Sequence, residues 1–198
     1  MKYSIMGIAA FLLALAGNAR SDEMPVTVGA GKVVTREIAA RSPSAGLTPL
    51  AVSLVPAIEL PSDDWSVAGL RLNLLVGRHH DVWGIDIGTI GNDVVYDGGG
   101  VQSAGIFNRC GGDFQGLQMS SVLNWTDGGI EGVQIALVNH ASDLSGLQLG
   151  FLNVADRGSG VQIGLVNAAR ALEGLQIGLV NIIRESSVPF FPIVNFAF

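Results

Sequence analysis

The polar run RHHD at residues 78 to 81 carries the richest set of reactive side chains in the sequence. Imidazole nitrogens and carboxylate oxygens are the usual ligands of Zn²⁺. Adjacent strand residues point to opposite faces, so His79, His80 and Asp81 reach one metal ion only if they lie in a turn. A solvated polar turn is the alternative, because His140 is the only other imidazole. We therefore treat the three residues as weak metal candidates and predict no metal site.

A second set of polar side chains is a series of aspartates that fall near corresponding turns. The series comprises Asp81, Asp97, Asp113, Asp127, Asp143 and Asp156. If the turns stack, these carboxylates form an acidic edge of the kind that binds Ca²⁺ through several oxygen ligands. The Gly-Gly-x-Gly-x-Asp pattern of calcium-binding coils is missing, and aspartate is common in ordinary turns. A calcium- or sugar-binding periplasmic module is therefore the third of three functional hypotheses.

Motifs for catalysis are missing from the sequence. The segment GVQSAG has Gly100 three residues before Ser103, so it is not the Gly-x-Ser-x-Gly turn of hydrolases. The glycine run at 98 to 100 has no following lysine, which argues against a phosphate-binding loop. Cys110 is the only cysteine, and a small buried residue is the ordinary role of such a side chain. We predict a protein that is not an enzyme and binds no cofactor.

A seven-residue segment is repeated through the second half of the chain. VQIALVN, LQLGFLN, VQIGLVN and LQIGLVN begin at residues 133, 147, 161 and 175, and looser copies begin at 70, 85, 101 and 117. Copies thus follow each other every 14 to 16 residues, and one more step of 14 reaches PFFPIVN at Pro189. Within a copy, residues alternate with period 2, which indicates β-strands. Such repetition predicts an array whose units bury a face against their neighbours.

The fold predicted from this repeat is an all-β parallel β-solenoid with 14 to 16 residues per coil. Every copy resembles the next one, as translational stacking requires. Stacking places Arg71 beside Asp86. It then aligns a column of glutamines, which are Gln102, Gln118, Gln134, Gln148, Gln162 and Gln176. A second column consists of the asparagines Asn92, Asn108, Asn124, Asn139, Asn153, Asn167, Asn181 and Asn195. Stacked amides bond each other, and a corner Asn can bond backbone groups that a turn leaves unpaired.

An up-and-down antiparallel outer-membrane β-barrel of about ten strands is the alternative fold. A membrane strand needs roughly 9 to 11 residues, so one strand and a short turn fit each repeat. The final segment FFPIVNFAF alternates apolar residues and ends in Phe198, as many such barrels do. The apolar alternation slips at each Asn of the column, which favours the solenoid.

The N-terminal residues predict export. Residues 1 to 19 combine Lys2, an apolar run from Ile5 to Gly17 and a small residue at Ala19, which is the pattern of a signal peptide. The formal net charge of −6 argues against nucleic acid as a partner, since phosphate contacts need clustered Lys and Arg.

Three segments of different character follow the predicted signal peptide. Residues 20 to 47 predict a partly ordered segment with a short helix around residues 35 to 41. Residues 48 to 198 predict a single β-repeat domain, with units from residue 70 onward. At its start, residues 50 to 65 read as a strand broken by prolines that covers the open edge of the first coil.

The tandem GLQ-h-G-L-V-N units resemble the short-repeat bacterial surface proteins, where h is apolar. The stretch VSLVPAIELP…GLRLNLLVG and the final FFPIVNFAF extend the resemblance over residues 50 to 198. The first units depart from the pattern, because Arg71 and Asp86 replace Gln and Gly77 replaces Asn. The resemblance implies an outer-membrane or cell-surface location, with the periplasm as the alternative, and no established activity.

The sequence thus predicts an exported, non-enzymatic envelope protein with a structural or adhesive role. Its partner is an unknown surface or envelope component, and association with the outer membrane fits both folds. Exposed Gln and small side chains on a flat solenoid face are expected to form the contact surface. A small integral outer-membrane barrel protein is the second functional hypothesis.

Overall fold

The computed structural model describes residues 42 to 197, and all regular elements in this range are β-strands. The strands stack into a parallel β-solenoid of about nine turns, which confirms the predicted fold. The strands are β1 Leu47–Val55, β2 Ile58–Leu60, β3 Ser66–Asn73, β4 Val76–His79, β5 Val82–Gly88, β6 Gly91–Val94, β7 Gly98–Ala104, β8 Phe107–Cys110, β9 Phe114–Ser120, β10 Leu123–Ile135, β11 Val138–Leu149, β12 Leu152–Ile163, β13 Val166–Ile183 and β14 Phe190–Ala197.

Each coil has a long side and a short side joined by two turns. The long side stacks β1, β3, β5, β7 and β9 and continues through the later parts of β10 to β13. The short side stacks β4, β6 and β8 and continues through the first parts of β10 to β13. All these pairings are parallel, so the antiparallel barrel alternative is wrong. We call the turn after the long side the first turn and the turn after the short side the second turn.

The stacking reproduces the spacing of the sequence repeats. Leu117 pairs with Val133, and Val133 pairs with Leu147, so the spacings of 16 and 14 residues are the lengths of successive coils. From β10 onward the chain passes the second turn without leaving the strand conformation, and β10 to β13 have 12 to 18 residues. The nearly identical copies in the sequence are therefore the most regular part of the stack.

A column of glycines precedes the repeated segment on the long side. Gly132 has a φ of 143°, in a region that residues with a side chain rarely adopt. A Cβ atom on Gly132 would also lie 2.0 Å from the carbonyl oxygen of Gly116 on the neighbouring coil. Both the backbone conformation and the close approach of the coils thus require glycine.

The interior beside the second turn is apolar. Phe114, Ile130 and Leu144 stack there from three successive coils and are at most 2% exposed. The whole buried cluster consists of Ala51, Val67, Val82, Val94, Cys110, Phe114, Ile130, Ala141, Leu144, Ala155, Ala169, Leu172 and Ile183. Burying each large member stabilises the fold by roughly 1.5 to 3 kcal/mol. Much of the remaining interior is polar.

Antiparallel strands close both ends of the stack. β1 is itself a rung parallel to β3, and β2 folds back on β1 at the outer edge. At the other end, β14 runs antiparallel to β13. The predicted ninth parallel repeat at Pro189 is therefore wrong, and Asn195 lies opposite Gln176 instead of extending the Asn column. Val188 gives the reason, because it stands 14 residues after Gly174, where the repeat requires glycine.

Just before β1, Ala45 and Gly46 form backbone hydrogen bonds with Asp64 and Ser66. The predicted signal peptide of residues 1 to 19 and the predicted helix at residues 35 to 41 lie outside the described residues. In residues 42 to 197, no helix is long and apolar enough to cross a membrane.

Candidate functional site

The six glutamines form one continuous column of side-chain hydrogen bonds inside the stack. The amide nitrogen of Gln176 donates to the amide oxygen of Gln162 at 2.7 Å, and the glutamines before them repeat this bond at 2.7 to 2.9 Å. Gln102 ends the column by donating to the carboxylate of Asp86 at 2.9 Å. All six side chains are fully buried. Each amide therefore points its nitrogen toward the N-terminal end of the stack.

The asparagines form a second buried column near the first turn, and their amides point the opposite way. The Nδ2 of Asn153 donates at 2.9 Å to Oδ1 of Asn167 on the following coil and at 2.9 Å to the carbonyl oxygen of Ile163. This pair of bonds recurs from Asn92 to Asn167. The backbone carbonyl only accepts, so it fixes the orientation of each amide.

The expected contact surface of exposed glutamines is wrong. The glutamines face inward, because the apolar residues on either side of them in the repeat occupy the outer face of the long side. For example, Gln102 is fully buried while its neighbour Val101 is 39% exposed. The alternation of the repeat is therefore present as predicted, but the glutamine face lies inside and the apolar face outside. A buried amide with its partners in place costs little, whereas an unpaired one costs about 1 to 3 kcal/mol.

The first coils replace the glutamines with a buried ion pair. Nε and Nη2 of Arg71 donate to the two carboxylate oxygens of Asp86 at 2.7 and 2.6 Å. Asp86 also accepts bonds from Gln102 at 2.9 Å and from Asn73 at 3.1 Å. Four hydrogen bonds, two of them from the guanidinium of Arg71, therefore satisfy a carboxylate that is only 2% exposed. The column of amides ends on a group that can only accept hydrogen bonds.

Asn73 takes the place that Gly77 leaves open in the Asn column. Its Nδ2 donates to Oδ1 of Asn92 at 2.6 Å. A Cβ atom on Gly77 would lie 1.8 Å from Oδ1 of Asn73, so the two positions share one space. The sequence alone did not reveal this substitution, because Asn73 lies four residues before the repeat position that it fills.

The side chain of Glu59, on the short edge strand β2, is buried against that of His79 on β4. The Oε1 atom of Glu59 accepts a bond from the backbone N–H of Arg78 at 2.6 Å, and Oε2 lies 3.7 Å from Nδ1 of His79. Burial raises the pKa of Glu59 to about 7, against the lowering effect of the bond from Arg78. Burial and then the charge of Arg71 lower the pKa of His79 to about 4. The N-terminal end of the stack therefore holds two buried groups, Glu59 with a raised pKa and His79 with a lowered pKa.

The three weak metal candidates do not converge on one point. His79 faces the interior, where its Nδ1 lies 3.5 Å from Nη1 of Arg71. Nδ1 of His80 lies 2.8 Å from the carboxylate of Asp81, and its Nε2 contacts the carbonyl oxygen of Ser42. Within residues 42 to 197, no group of three or more His, Cys, Asp or Glu side chains is placed to hold a metal ion.

The first aspartates of the series bond the turn of the following coil. Asp81 accepts the backbone N–H of Asp97 at 3.1 Å, Asp97 that of Asp113 at 2.9 Å, and Asp113 that of Gly129 at 2.7 Å. These carboxylates thus connect successive second turns. The stacking explains why aspartate recurs at this position without reference to calcium.

The later aspartates are paired with arginines or exposed. Arg109 bridges Asp93 at 3.2 Å and Asp127 at 2.8 Å, and Arg157 bonds Asp143 at 2.6 Å. Asp156 is exposed. The second turn therefore carries a charged edge that runs along the stack.

Cys110 lies in the apolar cluster and is fully buried. Burial raises the pKa of its thiol to about 12. The thiol is therefore protonated at neutral pH and is shielded from solvent, which is the environment of a structural cysteine.

An open groove of about 1110 Å³ follows the charged edge. Its rim carries the carboxylates of Asp113, Glu131, Asp143, Glu173 and Glu185, together with the guanidinium of Arg157. These acids are spread over successive coils, and one of them pairs with Arg157. Such a rim of charged side chains is readily hydrated.

A second groove, of about 850 Å³, follows the first turn on the other edge of the coils. Its floor consists of Ala136, Gly150, Gly164 and Gly178. We define the apolar stripe as the large side chains of the parallel coils that line it, which are Leu137, Phe151, Leu165 and Leu179 of the turn and Ile135, Leu149, Ile163 and Ile177 of the long side. Ile193 of β14 also lines the groove. The four turn residues are 41 to 65% exposed. Among the described residues that line the groove, Ser120 and Ser121 provide the only polar side chains.

Exposed apolar residues continue beyond the stripe toward the N-terminal coils. They include Leu72, Leu74, Leu75, Ile85, Ile87, Val101 and Ile106, which are 38 to 55% exposed. Most soluble proteins avoid apolar surface that continues over this distance, and such surface marks an interaction site. The sequence contained this signal in the alternation of each repeat.

Comparison of the chain with models of known protein families, with curated proteins and with solved structures finds no match. The resemblance to the short-repeat surface proteins therefore stays a prediction.

Proposed function

We propose that the protein is an exported, non-enzymatic component of the bacterial cell envelope that acts by contact, with the apolar stripe as its contact surface. One observation carries the proposal, which is that large apolar side chains face outward along the first turn while the polar amides are buried. A stack of coils with this surface is suited to a structural or adhesive role.

The buried amide columns support a scaffold role. They hold each coil at a fixed register to the next, because every Gln and Asn of the regular coils has its partner on a neighbouring coil. A chain of mutually satisfied polar groups specifies one arrangement. The contact surface is therefore presented on a stack that does not need a ligand to fix its shape.

The location rests on the N-terminal signal-peptide pattern and on the resemblance to surface proteins. Both agree with a partner in the envelope, at the outer membrane or the cell surface. The net charge of −6 and the acids along the second turn agree with a partner that is not nucleic acid.

Fractionation of the native host tests this function. The stripe variant carries Leu137→Thr, Phe151→Thr and Leu179→Thr, which keep β-forming side chains at exposed positions. The edge variant carries Arg157→Gln and Glu173→Gln, which leave the net charge unchanged on the opposite edge. We expect the parent and the edge variant in the envelope fraction, and the stripe variant in the soluble periplasm or the medium.

Two results would contradict the proposal. Recovery of the parent from the cytosol would contradict the proposed export. Equal retention of the stripe variant and the parent in the envelope would show that contact is made elsewhere.

A further inference from the structure

The apolar stripe contains no group that would recognise a charged partner. The residues lining its groove are Leu, Ile, Phe, Ala and Gly apart from two serines, and no charged side chain of the described residues is among them. A charged partner therefore finds no oppositely charged group on this surface. The surface suits an apolar partner.

Charge and apolar surface are separated on the two edges of the same coils. The coil from Gly150 to Ile163 presents Phe151 at the first turn and Arg157 at the second turn, where Arg157 pairs with Asp143. The next coil repeats the arrangement, with Leu165 on one edge and Arg170, paired with Glu185, on the other. One edge of the stack thus fits an apolar medium and the other fits water.

The backbone along the stripe needs no water. Phe151 and Leu165 donate their backbone N–H groups to Leu137 and Phe151 of the preceding coils at 2.9 and 3.0 Å. The interior amides are paired as well, as in the bonds of Asn153 and Asn167. Contact with hydrocarbon is costly mainly for unpaired backbone groups, so this edge can enter it at little cost.

The apolar residues also wrap around the edge instead of forming one plane. The stripe includes Leu149 and Ile177 on the long side and Leu137 and Leu179 on the turn, and Val166 of the short side is partly exposed behind them. A second copy or another rigid protein face would cover one of these sides. A fluid acyl layer covers all of them.

We propose that the apolar stripe inserts into the acyl-chain region of a phospholipid bilayer, with the stack lying along the membrane surface and its charged edge in water. This inference rests on the proposed contact role and names its partner. Insertion is driven by apolar area, and the acidic chain gains nothing from anionic headgroups. Binding is therefore expected to zwitterionic lipid and to be insensitive to salt.

Flotation of the full chain with phosphatidylcholine vesicles tests the proposal. We expect the parent and the edge variant to float with the vesicles equally at low and high salt. The stripe variant is expected to bind at least about tenfold more weakly, because three large side chains lose apolar area. All three chains share residues 1 to 41, so a difference between them belongs to the stripe. Circular dichroism melts check that each variant is folded.

A second variant reports insertion directly and does not depend on loss of binding. In Phe151→Trp, the emission of the added indole is expected to shift to shorter wavelength when vesicles are present. In Glu173→Trp, on the water-facing edge, no added shift is expected. This pair keeps the test decisive if the stripe variant fails to fold.

Three outcomes overturn the proposal. The first is failure of the parent to float, and the second is equal spectral shifts in the two tryptophan variants. The third is stripe-dependent dimerisation without vesicle binding, which identifies a second copy as the occupant. If vesicle binding fails but the stripe variant is still released from the host envelope, the contact role stands and its partner is a protein.

Discussion

The side chain of Asp86 sets the direction of the first amide in the glutamine column. A carboxylate only accepts hydrogen bonds, so Gln102 must present its nitrogen to Asp86 and its oxygen to Gln118. The later glutamines Gln134, Gln148 and Gln176 keep this direction and also donate to backbone carbonyl oxygens, those of His140, Val154 and Ile182. At the far end, the amide oxygen of Gln176 has no hydrogen-bond partner among the described residues. The Asp86 carboxylate and these backbone carbonyls together give the column one direction.

The Arg71–Asp86 pair replaces two rungs of the same column, which makes a double-variant test possible. Arg71→Gln or Asp86→Gln alone leaves a buried charge without its partner, and we expect each to destabilise the fold by about 3 to 5 kcal/mol. The double variant restores a neutral column of eight glutamines and is expected to recover most of that loss. Urea unfolding of the four chains measures the coupling. Additive losses would show that the ion pair is not the continuation of the amide column.

Glu59 is expected to make the pH dependence of stability unusual. Its pKa is raised from 4.5 to about 7 in the folded protein, so its contribution to stability is complete below pH 4.5 and is lost by about pH 7. The Glu59→Gln variant carries no carboxyl group at this position, so it does not lose this stability as the pH rises. Relative to the parent, the variant is expected to gain on the order of 2 kcal/mol between these pH values. The measurement is the difference between the two urea unfolding free energies at each pH.

His79 provides the control of opposite sign. Its pKa is lowered from 6.5 to about 4, so its contribution is present above pH 6.5 and is lost as the pH falls toward 4. His79→Asn is therefore expected to lose stability relative to the parent as the pH rises over this range. Parallel profiles for the parent and both variants would contradict the buried Glu59–His79 arrangement. The repeat pattern did not predict this contact, because β2 brings Glu59 to His79 by reversing direction at an edge.

At the scale of the element, the glycine before each repeat decides whether a coil can stack. We expect Gly132→Ala to destabilise the protein by about 3 kcal/mol or more, since its Cβ would meet the Gly116 carbonyl at 2.0 Å and its φ is 143°. Gly129→Ala is the matched control, because its Cβ would find its nearest neighbour at 3.4 Å. Thermal melts compare the two. Equal melting temperatures would show that the coils can move apart.

For the C-terminal strand β14, the repeat pattern predicts the wrong strand direction. PFFPIVN matches the apolar and Asn positions of LQIGLVN, which suggested another parallel rung. The residue before it is Val188, and Ser186 stands 14 residues after the buried Leu172. The glycine position and the apolar core position are thus both lost, and the strand pairs in the other direction. The two residues that indicate this change, Val188 and Ser186, lie outside the seven-residue motif.

At the scale of the molecule, one whole coil is the unit by which the length of the stack can change. Deletion of residues 147 to 160 removes 14 residues and joins Gly146 to Val161, which keeps the Gly-Val-Gln order and both amide columns. We expect a folded protein with one coil less and a lower melting temperature. Deletion of residues 147 to 159 is the control. It leaves one extra residue, which turns the following side chains to the wrong face.

Circular dichroism and the cooperativity of the melt distinguish the two deletions. Cooperative unfolding of both would show that the columns tolerate a shifted register. Loss of structure in both would show that stability depends on the full number of coils.

The fold was predictable because the period, the strand alternation and the two amide columns all lie in local sequence. Which face of each strand lies inside was not predictable, since Gln and Leu alternate and either can face inward. Gln176 is fully buried and Leu179 is 65% exposed, the reverse of the ordinary preference. The column of bonds from Gln to Gln reverses that preference, and it exists only once the coils are stacked.

The opposed amide columns have a consequence for how such a protein can change its length. Each regular coil contributes one glutamine dipole directed along the axis and one asparagine dipole directed against it. The two nearly cancel, so copying a coil adds no net polarity to the interior. The number of coils is therefore free to grow by duplication of a 14-residue segment, and the nearly identical segments from residue 133 to residue 181 have the form that such copying produces.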